Sequence, residues 1–486
     1  MKQTAVLARD SRALAALAVP LALTQLAQVA LTTTDTVMMG VLGTEALAAG
    51  GLALVVFNQL RTMGVGLVTS VGNQVAAAAA RAERGDPAER TEVTSGADDG
   101  HEVRALVRAA MAVATLAGIA GAVLMVLVGQ AATWLGQDAA VAERAQSMLA
   151  ALAPGLLPCL WFQAVRQFTV GMRRPQALLR ITVASVAVNA GLNWVFIHGT
   201  WGLPELGLTG IGVATSSVHL LSFLALRASA RRDPELAALL TLDFWRADAA
   251  TVRRLLGLGT PIAATYGSEA GFFSVTALLA GSFGAAALAA HTAVNQLIYI
   301  VFQVAVGLSH AASINVSREL ALGDHAAARR IKNTALACGA AVSTLVGIVY
   351  LTAPRLVLRP FFDPGTAADQ QGLRIATGLL AVVAVLQFFD CAQNIGVGLL
   401  RGLDDTRSGF RITLVGYWAV GLPAAWLLAY PLGGETRGLW LGLLIGLATT
   451  AVLLLRRYTR ALDARAAPAP APAPAPAEPG RTSPVT

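Results

Sequence analysis

Charged residues are scarce in this sequence of 486 residues, since Asp, Glu, Lys and Arg together make up only 13% of it. Hydrophobic residues account for 55%. A soluble globular protein carries about 25% charged residues, so this composition excludes an ordinary soluble fold. The chain is therefore expected to reside in a lipid bilayer.

Cysteine is almost missing. The three cysteines, Cys159, Cys338 and Cys391, all lie within apolar runs, and their number is odd. This pattern predicts small core residues and argues against a disulfide framework or a cysteine metal site.

A dense basic patch is also lacking, although the net charge is +8. The basic residues are spread over short loops between apolar runs, which is the pattern that orients a membrane protein. Nucleic acid is therefore not an expected partner.

About twelve stretches are long and apolar enough to cross a bilayer, which takes roughly 20 residues. They lie near residues 14–38, 52–80, 109–134, 145–170, 177–198, 207–226, 255–280, 285–313, 335–351, 373–400, 410–430 and 439–455. The first exceeds the roughly 7 to 15 apolar residues of a cleavable signal, so we expect it to remain as the first span. The fold class predicted is an all-α integral membrane protein.

Basic and non-basic loops alternate along the chain. Lys2, Arg9 and Arg12 precede the first span, and Arg173 and Arg174 follow the fourth, whereas residues 199–207 contain no Lys or Arg. The positive-inside rule then places both termini in the cytoplasm. We expect a multi-pass protein of the cytoplasmic (inner) membrane.

The chain contains an internal repeat. Adding 241 to Pro20, Gly40, Gly43 and residues 46–49 gives Pro261, Gly281, Gly284 and residues 287–290, with the same residue types. Six spans per copy return the chain to its starting side, so the two halves are predicted to be pseudo-symmetric six-helix lobes related by an axis along the membrane normal. The expected divisions are an N-terminal lobe over 1–230, a cytoplasmic linker with an interfacial helix over 231–254, a C-terminal lobe over 255–460, and a disordered Ala/Pro-rich tail over 461–486.

Three carboxylates lie within apolar spans: Asp35, Glu269 and Asp390. A charged group in the hydrocarbon costs about 2.5 to 3.5 kcal/mol, so each is a candidate functional residue. At about 1.5 Å per residue, Glu269 lies roughly 22 Å beyond Arg254 and Asp390 roughly 16 Å before Arg401, so the two could share one depth and one cation. Such a pair could take up either a proton or Na⁺.

Asp35 has a different predicted neighbourhood. Asn189 and Asn193 are four residues apart and therefore lie on one face of the fifth span. With a hydroxyl from Thr34 or Thr215, they and Asp35 would form either a hard-cation site, for instance for Na⁺, or a hydrogen-bonded proton carrier. A role of the two asparagines in joining helices stays open as well.

Aromatic residues accompany the acids of the second half and could line a cavity for flat organic cations through cation–π contacts. The candidates are Tyr266, Phe272, Phe273, Phe388 and Phe389, with Gln296 as a polar member of the same cavity. Arg61, midway along the second span, could pair with an acid or extend toward a water-exposed end.

Four segments resemble the multidrug and toxic compound extrusion (MATE) family, and within it the NorM-like branch. They are PLALTQLAQVALTTTDTVMMGVLG, NAGLNWVFIHGTWGLPELGLTGIGVATS, the Glu269 segment with ALAAHTAVNQ, and FFDCAQNIGVGLLRGLDDT. The resemblance implies an exporter of cationic, often aromatic drugs, driven by inward Na⁺ or H⁺ and needing no cofactor. It also implies cation coupling at Asp35, Asn189 and Asn193 in the first lobe, and at Glu269 and Asp390 in the second. Asn193 and Leu386 depart from relatives that carry Asp and Tyr there, so the coupling ion stays open; we expect a monomer.

Two other classes compete with this reading. A lipid-linked precursor flippase would need a large basic cleft, whereas the intramembrane charges here are expected to be chiefly acidic. A membrane prenyl transferase would need clustered aspartates, and Asp404 with Asp405 are only two. An enzyme is therefore not expected.

Overall fold

A computed structural model describes residues 2–84, 100–131, 139–202, 204–362 and 367–466. Within these ranges the chain is helical and contains no strand. The helices are α1 Lys2–Val41, α2 Thr44–Arg84, α3 His101–Ala131, α4 Ala139–Gly171, α5 Gln176–His198, α6 Gly207–Arg232, α7 Pro234–Leu239, α8 Ala249–Gly281, α9 Ala285–Ala321, α10 His325–Thr352, α11 Pro354–Leu358, α12 Ala367–Gly402, α13 Thr406–Leu414, α14 Leu422–Ala429 and α15 Glu435–Ala466, with a π-helix at Val415–Gly421 between α13 and α14.

Eleven helical segments of the described residues are long and apolar enough to cross a membrane, with α13, the π-helix and α14 forming one of them. Helix α8 has 33 residues, about 50 Å at 1.5 Å each, and is the twelfth by length. Its lower apolarity follows from its sequence, which carries Glu269 and several hydroxyl residues in mid-span. The eleven apolar segments and α8 together correspond to the twelve helices that the sequence predicts.

Several helices run further than their apolar cores. Helix α9 continues to Ala321 and α15 to Ala466, because hydrogen-bonded backbone persists beyond the hydrocarbon where polar side chains are solvated. In α15, residues 461–466 were expected to be disordered but are helical: Leu462 is buried, and Arg465 donates a 2.7 Å hydrogen bond to the Leu403 carbonyl. Residues 467–486 of the expected tail lie outside the described ranges.

The expected linker over 231–254 is shorter than predicted. Helix α6 already includes its first two residues, and α8 begins at Ala249. Between them, Asp233 caps the short helix α7, and Arg174 bonds both Asp233 and Glu235 at 2.6 Å.

The eleventh span is interrupted by a π-helix, whereas the sequence predicts one regular helix there. This segment packs closely on α15: a Cβ on Gly416 would lie 1.8 Å from the Thr450 hydroxyl, and one on Gly421 would lie 3.2 Å from the Gly446 Cα. The wider turn rotates Tyr417 and Trp418 toward α8.

The two halves repeat one packing scheme. In the first half α2 packs on α4, α4 on α6, and α1 on α5. In the second half α9 packs on α12, α12 on α15, and α8 on α13. The contacts between the halves follow the repeat as well: α1 packs on α9, and its equivalent α8 packs on α2. The pseudo-symmetric two-lobe architecture predicted from the repeat is thus present.

The lobes meet along a seam of small residues. A Cβ on Gly66 would lie 2.7 Å from the Cα of Ala263, and a Cβ on Gly307 would lie 2.7 Å from the Cα of Ala22. Adding 241 to Ala22 and Gly66 gives Ala263 and Gly307, so these are two copies of one contact. We call this pair of contacts the interlobe seam.

Polar contacts also join the lobes, toward the side of the molecule on which α1 begins. Asn73 donates to the Ser313 hydroxyl at 2.8 Å, and Arg254 donates to Gln74 at 2.7 Å. Nearer the surface, Arg318 forms an ion pair with Glu83. In the described part of the chain, the side-chain hydrogen bonds between the lobes all lie on this side.

Candidate functional site

Asp35 of α1 is the centre of a hydrogen-bonded cluster in the first lobe. Its Oδ1 accepts hydrogen bonds from the side-chain amides of Asn189 at 2.6 Å and Asn193 at 2.8 Å. Its Oδ2 accepts from the Thr215 hydroxyl at 3.1 Å. Asp35 is 1% exposed, and both asparagines are fully buried. The three residues predicted to group together are neighbours, and we call this set with Thr215 the N-lobe cluster.

The local sequence explains this geometry. Asn189 and Asn193 lie one turn apart on α5, which packs against α1 and thereby turns both amides toward Asp35. Thr215 of α6 supplies the hydroxyl, whereas Thr34, the other candidate, donates to the Ala30 carbonyl of its own helix.

The two asparagines retain an unused acceptor each. Their Oδ1 atoms are buried and have no hydrogen-bond partner in the structure. Three donors suit an ionised Asp35, while amide rotation would present carbonyl oxygens to a protonated carboxyl group or to a cation. The cluster can therefore serve two charge states of one site.

A cavity of about 50 Å³ adjoins this cluster. That is room for a few water molecules, since one requires about 10 to 15 Å³. Asp35 and Arg61 both line the cavity, and the Arg61 Nε donates to Asn58 at 3.3 Å. Arg61 therefore faces the polar cavity.

Glu269 and Asp390 occupy the second lobe, on α8 and α12. The Tyr417 hydroxyl donates to Glu269 at 3.2 Å, and the Asn394 amide donates to Asp390 at 3.3 Å. The two carboxylates are close enough to interact electrostatically. They form the core of what we call the C-lobe acid pair. The described residues contain no group of three or more His, Cys, Asp or Glu arranged to hold a metal ion.

The sequence analysis did not identify Tyr417 or Trp418 as part of this site. Tyr417 is fully buried, and Trp418 donates to the Ser268 hydroxyl at 2.8 Å, one residue from Glu269. Nothing in the helical periodicity could reveal them, because the π-helix changes the register by which they face α8. Tyr417 provides a phenol beside the acid pair. Some relatives carry a tyrosine at the position of Leu386, where this chain has none.

The predicted cavity aromatics occupy different environments. Phe272 is fully buried and stacks on Tyr417 with ring centroids 4.8 Å apart, so it supports Tyr417 and presents no open face. Phe389 packs against the core of the second lobe. Gln296 is exposed, and Phe273, Phe388 and Tyr266 are partly exposed.

Two arginines are buried in the lobes in addition to the three intramembrane acids. Arg166 of α4 and Arg401 of α12 are 4% and 3% exposed. Arg401 was assigned to a loop from its position after the apolar run, and Arg166 lies inside a predicted span without an acidic neighbour to draw attention to it. Asp404 and Asp405, in contrast, are turn residues: Asp404 accepts a hydrogen bond from Gln74, and Asp405 caps α13.

These features define a class of protein. Two pseudo-symmetric helical lobes, in contact on one side of the membrane and carrying buried carboxylates within their spans, form the architecture of a secondary active transporter that works by alternating access.

Comparisons with known proteins give the family. The MatE family model matches residues 93–195 and 261–427. A probable multidrug resistance protein NorM of Pseudomonas aeruginosa is 35% identical over 444 residues, 91% of this chain and 88% of that protein. One of Bradyrhizobium diazoefficiens is 37% identical over 450 residues, 91% of each. The chain belongs to the MATE family.

Solved structures show the same fold. The eukaryotic MATE transporter AtDTX14 matches with a TM-score of 0.78 and 20% identity over 94% of this chain and 98% of its own. The Vibrio cholerae MATE transporter VcmN in its bent form matches with a TM-score of 0.79 and 16% identity, at the same coverage. By its family, the chain is a multi-pass membrane transporter and not an enzyme, and neither the flippase nor the prenyl transferase alternative is favoured.

Proposed function

We propose that this protein is an antiporter that exports organic cations, often aromatic, in exchange for inward H⁺ or Na⁺. The observation that carries the proposal is the N-lobe cluster, where a carboxylate with 1% exposure is held by three side-chain donors inside a membrane-spanning bundle. A buried acid with no basic partner is costly in a membrane unless it binds a cation in its working cycle.

The coupling ion would have two candidate sites, Asp35 in the first lobe and the C-lobe acid pair in the second. In the H⁺ case, protonation neutralises the carboxyl group and the asparagine amides rotate to accept its hydrogen bond. In the Na⁺ case, the same rotation offers Asn189 and Asn193 oxygens beside the carboxylate and the Thr215 hydroxyl, which is a hard-oxygen ligand set. The unpartnered Oδ1 atoms support either ion.

The organic cation would bind near the C-lobe acid pair. Glu269 and Asp390 supply negative charge, and the partly exposed rings of Tyr266 and Phe273 supply cation–π surface. An ion that neutralises either acid removes the attraction for the organic cation. Uptake of one ligand then favours release of the other, which is coupling through competition for the same charge.

The distribution of basic residues supports one membrane orientation. The basic loops favour a cytoplasmic location for the first residues of α1 and for the polar contacts between the lobes on that side. The conformation is then closed toward the cytoplasm, and both termini are cytoplasmic in the inner membrane. Both candidate sites lie within one chain, so we infer that a monomer suffices for transport.

Transport of ethidium in proteoliposomes tests this proposal. We would impose a proton or a Na⁺ gradient and compare wild type with Asp35→Asn, Glu269→Gln and Asp390→Asn. Glu102→Gln is the matched control, because Glu102 forms an exposed ion pair with Arg81. Efflux that depends on one gradient and is lost in the three variants alone would support the proposal and identify the ion. Wild-type protein that is folded but transports no organic cation under either gradient would refute it.

A further inference from the structure

A groove of about 540 Å³ runs between α5 and α6 of the first lobe. Its walls are mostly small or aliphatic side chains, and those of Ala184, Val188, Leu221 and Ala225 are exposed. Exposed aliphatic side chains on membrane-spanning helices contact lipid tails, which are as apolar as leucine. The groove therefore opens toward the bilayer.

The groove extends over only half the length of each helix. On α5 it runs from Ala177 to Val188, near the middle of that helix, and on α6 from Arg232 back to Val218, again near the middle. At 1.5 Å per residue, these stretches are about 17 and 21 Å long. One leaflet of the hydrocarbon core is about 15 Å deep. The groove thus has the depth of a single leaflet.

A second cavity, of about 390 Å³, adjoins the groove at the end where α5 begins. The two cavities share the side chains of Arg180 and Arg232. The second cavity has further polar walls, which include Thr169, Gln176 and Asp233. An apolar groove that leads into a polar cavity matches an amphiphile, with its tail in the groove and its headgroup in the cavity.

The charge at this end is positive. The charged residues that line the two cavities are three arginines and one aspartate, and Arg174 is already paired at 2.6 Å with that Asp233 and with Glu235. Arg180 and Arg232 are exposed, and neither forms an ion pair with a carboxylate of the described ranges. Guanidinium groups bind phosphate through paired hydrogen bonds, and basic pockets between membrane helices attract anionic headgroups.

We propose that the two cavities form a binding site for one anionic phospholipid, with its phosphate held by Arg180 and Arg232 and an acyl chain in the groove between α5 and α6. We call this the α5–α6 lipid site. It goes beyond the proposed function, because it depends neither on the exported compound nor on the coupling ion.

The occupant needs both a tail and a negative charge. A free phosphate would leave the groove to water, although its aliphatic walls offer few of the polar partners that an ordered water needs. A lipid without net charge would fill the groove but gain little from the two arginines. An anionic phospholipid uses both parts of the site.

The inner end of the groove lies behind the N-lobe cluster. Ser185, Val218 and Ser222 line both the groove and the cavity beside Asp35. An acyl chain in the groove packs against the other side of these three residues. The lipid site and the Asp35 cavity therefore share one wall.

Native mass spectrometry of the purified full chain tests the inference. We would titrate it with dioleoyl phosphatidylglycerol, which is anionic, and with dioleoyl phosphatidylcholine, which has the same acyl chains and no net charge. A basic residue beside an anionic lipid contributes about a factor of five in affinity, so wild type should prefer phosphatidylglycerol about 25-fold for the first lipid bound. Arg180→Gln and Arg232→Gln should each lower this preference about fivefold.

Matched variants separate the headgroup from the tail. Arg231→Gln changes an exposed neighbour that lines neither cavity, and should keep the wild-type preference. Ala225→Leu fills part of the groove and should weaken both lipids equally, whereas Ala337→Leu, at an exposed position of α10, should weaken neither. Size-exclusion chromatography verifies folding, and if Arg180→Gln is misfolded, Arg232→Gln at the last residue of α6 decides the outcome.

Four results would overturn the inference. The first is equal affinity of wild type for the two lipids, and the second is a preference that the Arg180 and Arg232 substitutions leave as high as Arg231→Gln does. The third is lipid binding to Ala225→Leu that is as tight as to Ala337→Leu. The fourth is displacement of phosphatidylglycerol by an equal concentration of glycerol phosphate, because the site would then hold a free phosphate. None of these readouts involves transport, so failure of the proposed function would leave the lipid site standing.

Discussion

The interlobe seam offers the sharpest test of how the two lobes move. Gly66→Ala adds one methyl group at a position where the Cα of Ala263 would be only 2.7 Å away. Unstrained carbon atoms lie about 3.5 to 4.0 Å apart, so the backbones of α2 and α8 must separate by about 1 Å. Because the obstructing atom is backbone, no side-chain rotation can relieve the clash.

The energetic effect follows from this overlap. Overpacking by one methyl group costs about 1 to 3 kcal/mol, and the strain exists only while the seam is closed. The equilibrium between closed and open seam should therefore shift about 5- to 150-fold toward the open form. Gly307→Ala, at the equivalent position against Ala22, should have an effect of the same size, because its overlap is also 2.7 Å.

The assay is the distribution of distances between two spin labels, measured by double electron–electron resonance. We would label Arg231→Cys and Arg460→Cys, two exposed positions on the seam side of α6 and α15, after replacing the native cysteines by alanine. Gly66→Ala should add or enlarge a population of longer distances. Gly51→Ala is the control on the same helix, since its added methyl group would meet nothing within 4 Å, yet it carries the same gain in helix propensity. Identical distance distributions for Gly66→Ala and Gly51→Ala would refute the seam as the closing contact.

Three further predictions concern individual hydrogen bonds. Tyr417→Phe removes one charge-assisted hydrogen bond to the C-lobe acid pair and should lower ethidium efflux about tenfold without loss of folded protein. Thr215→Val keeps the shape of its side chain but loses the 3.1 Å bond to Asp35, and should lower gradient-driven efflux by a similar factor. Burial raises the pKa of Asp405, but hydrogen bonds from Ser408 and Arg457 outweigh it and leave that pKa below its ordinary value. Its stabilising contribution is thus present at neutral pH and lost as the pH falls through the lowered pKa, so wild type should lose thermal stability on acidification by more than Asp405→Asn.

The first two of these predictions each have a control variant in the same chain. Tyr430→Phe removes a phenol that bonds the Ser282 hydroxyl and neither acid of the pair, so efflux should stay near wild type. Ser217→Val removes a hydroxyl that bonds only its own helix, and is the comparison for Thr215→Val. Efflux that is unchanged in Tyr417→Phe or Thr215→Val would contradict the assigned bonds. A difference in melting temperature between wild type and Asp405→Asn that is the same at every pH would contradict the third prediction.

Much of the N-lobe cluster could be anticipated from the sequence. The i, i+4 spacing of Asn189 and Asn193 requires one helix face, and a lone aspartate in the first span requires polar neighbours. The choice of Thr215 over Thr34 could not be anticipated, since both are hydroxyls at plausible depth. It depends on the rotation of α6 against α1, which only the packing of the whole lobe determines.

The second lobe was less accessible to sequence reasoning. The spacing along α8 and α12 indicated that Glu269 and Asp390 share a lobe and approximate depth. Tyr417 lies in a π-helix, in which Gly416 packs closely on α15. Hydrophobic periodicity carries no record of such a contact, because it reports burial and not the partner.

The sequence by itself determined the membrane class, the twelve spans, the repeat at 241 residues and the presence of carboxylates within the spans. These properties depend on composition, on the fixed rise of a helix and on residue spacing, all of which are local. The tertiary structure alone decided which faces meet: the seam of Gly66 and Gly307, the hydroxyl given to Asp35, and the contacts of Arg166 with Gln25 and of Arg401 with Tyr266. Those contacts depend on helix rotation and close approach, which arise from packing many side chains at once and are not written in any single segment.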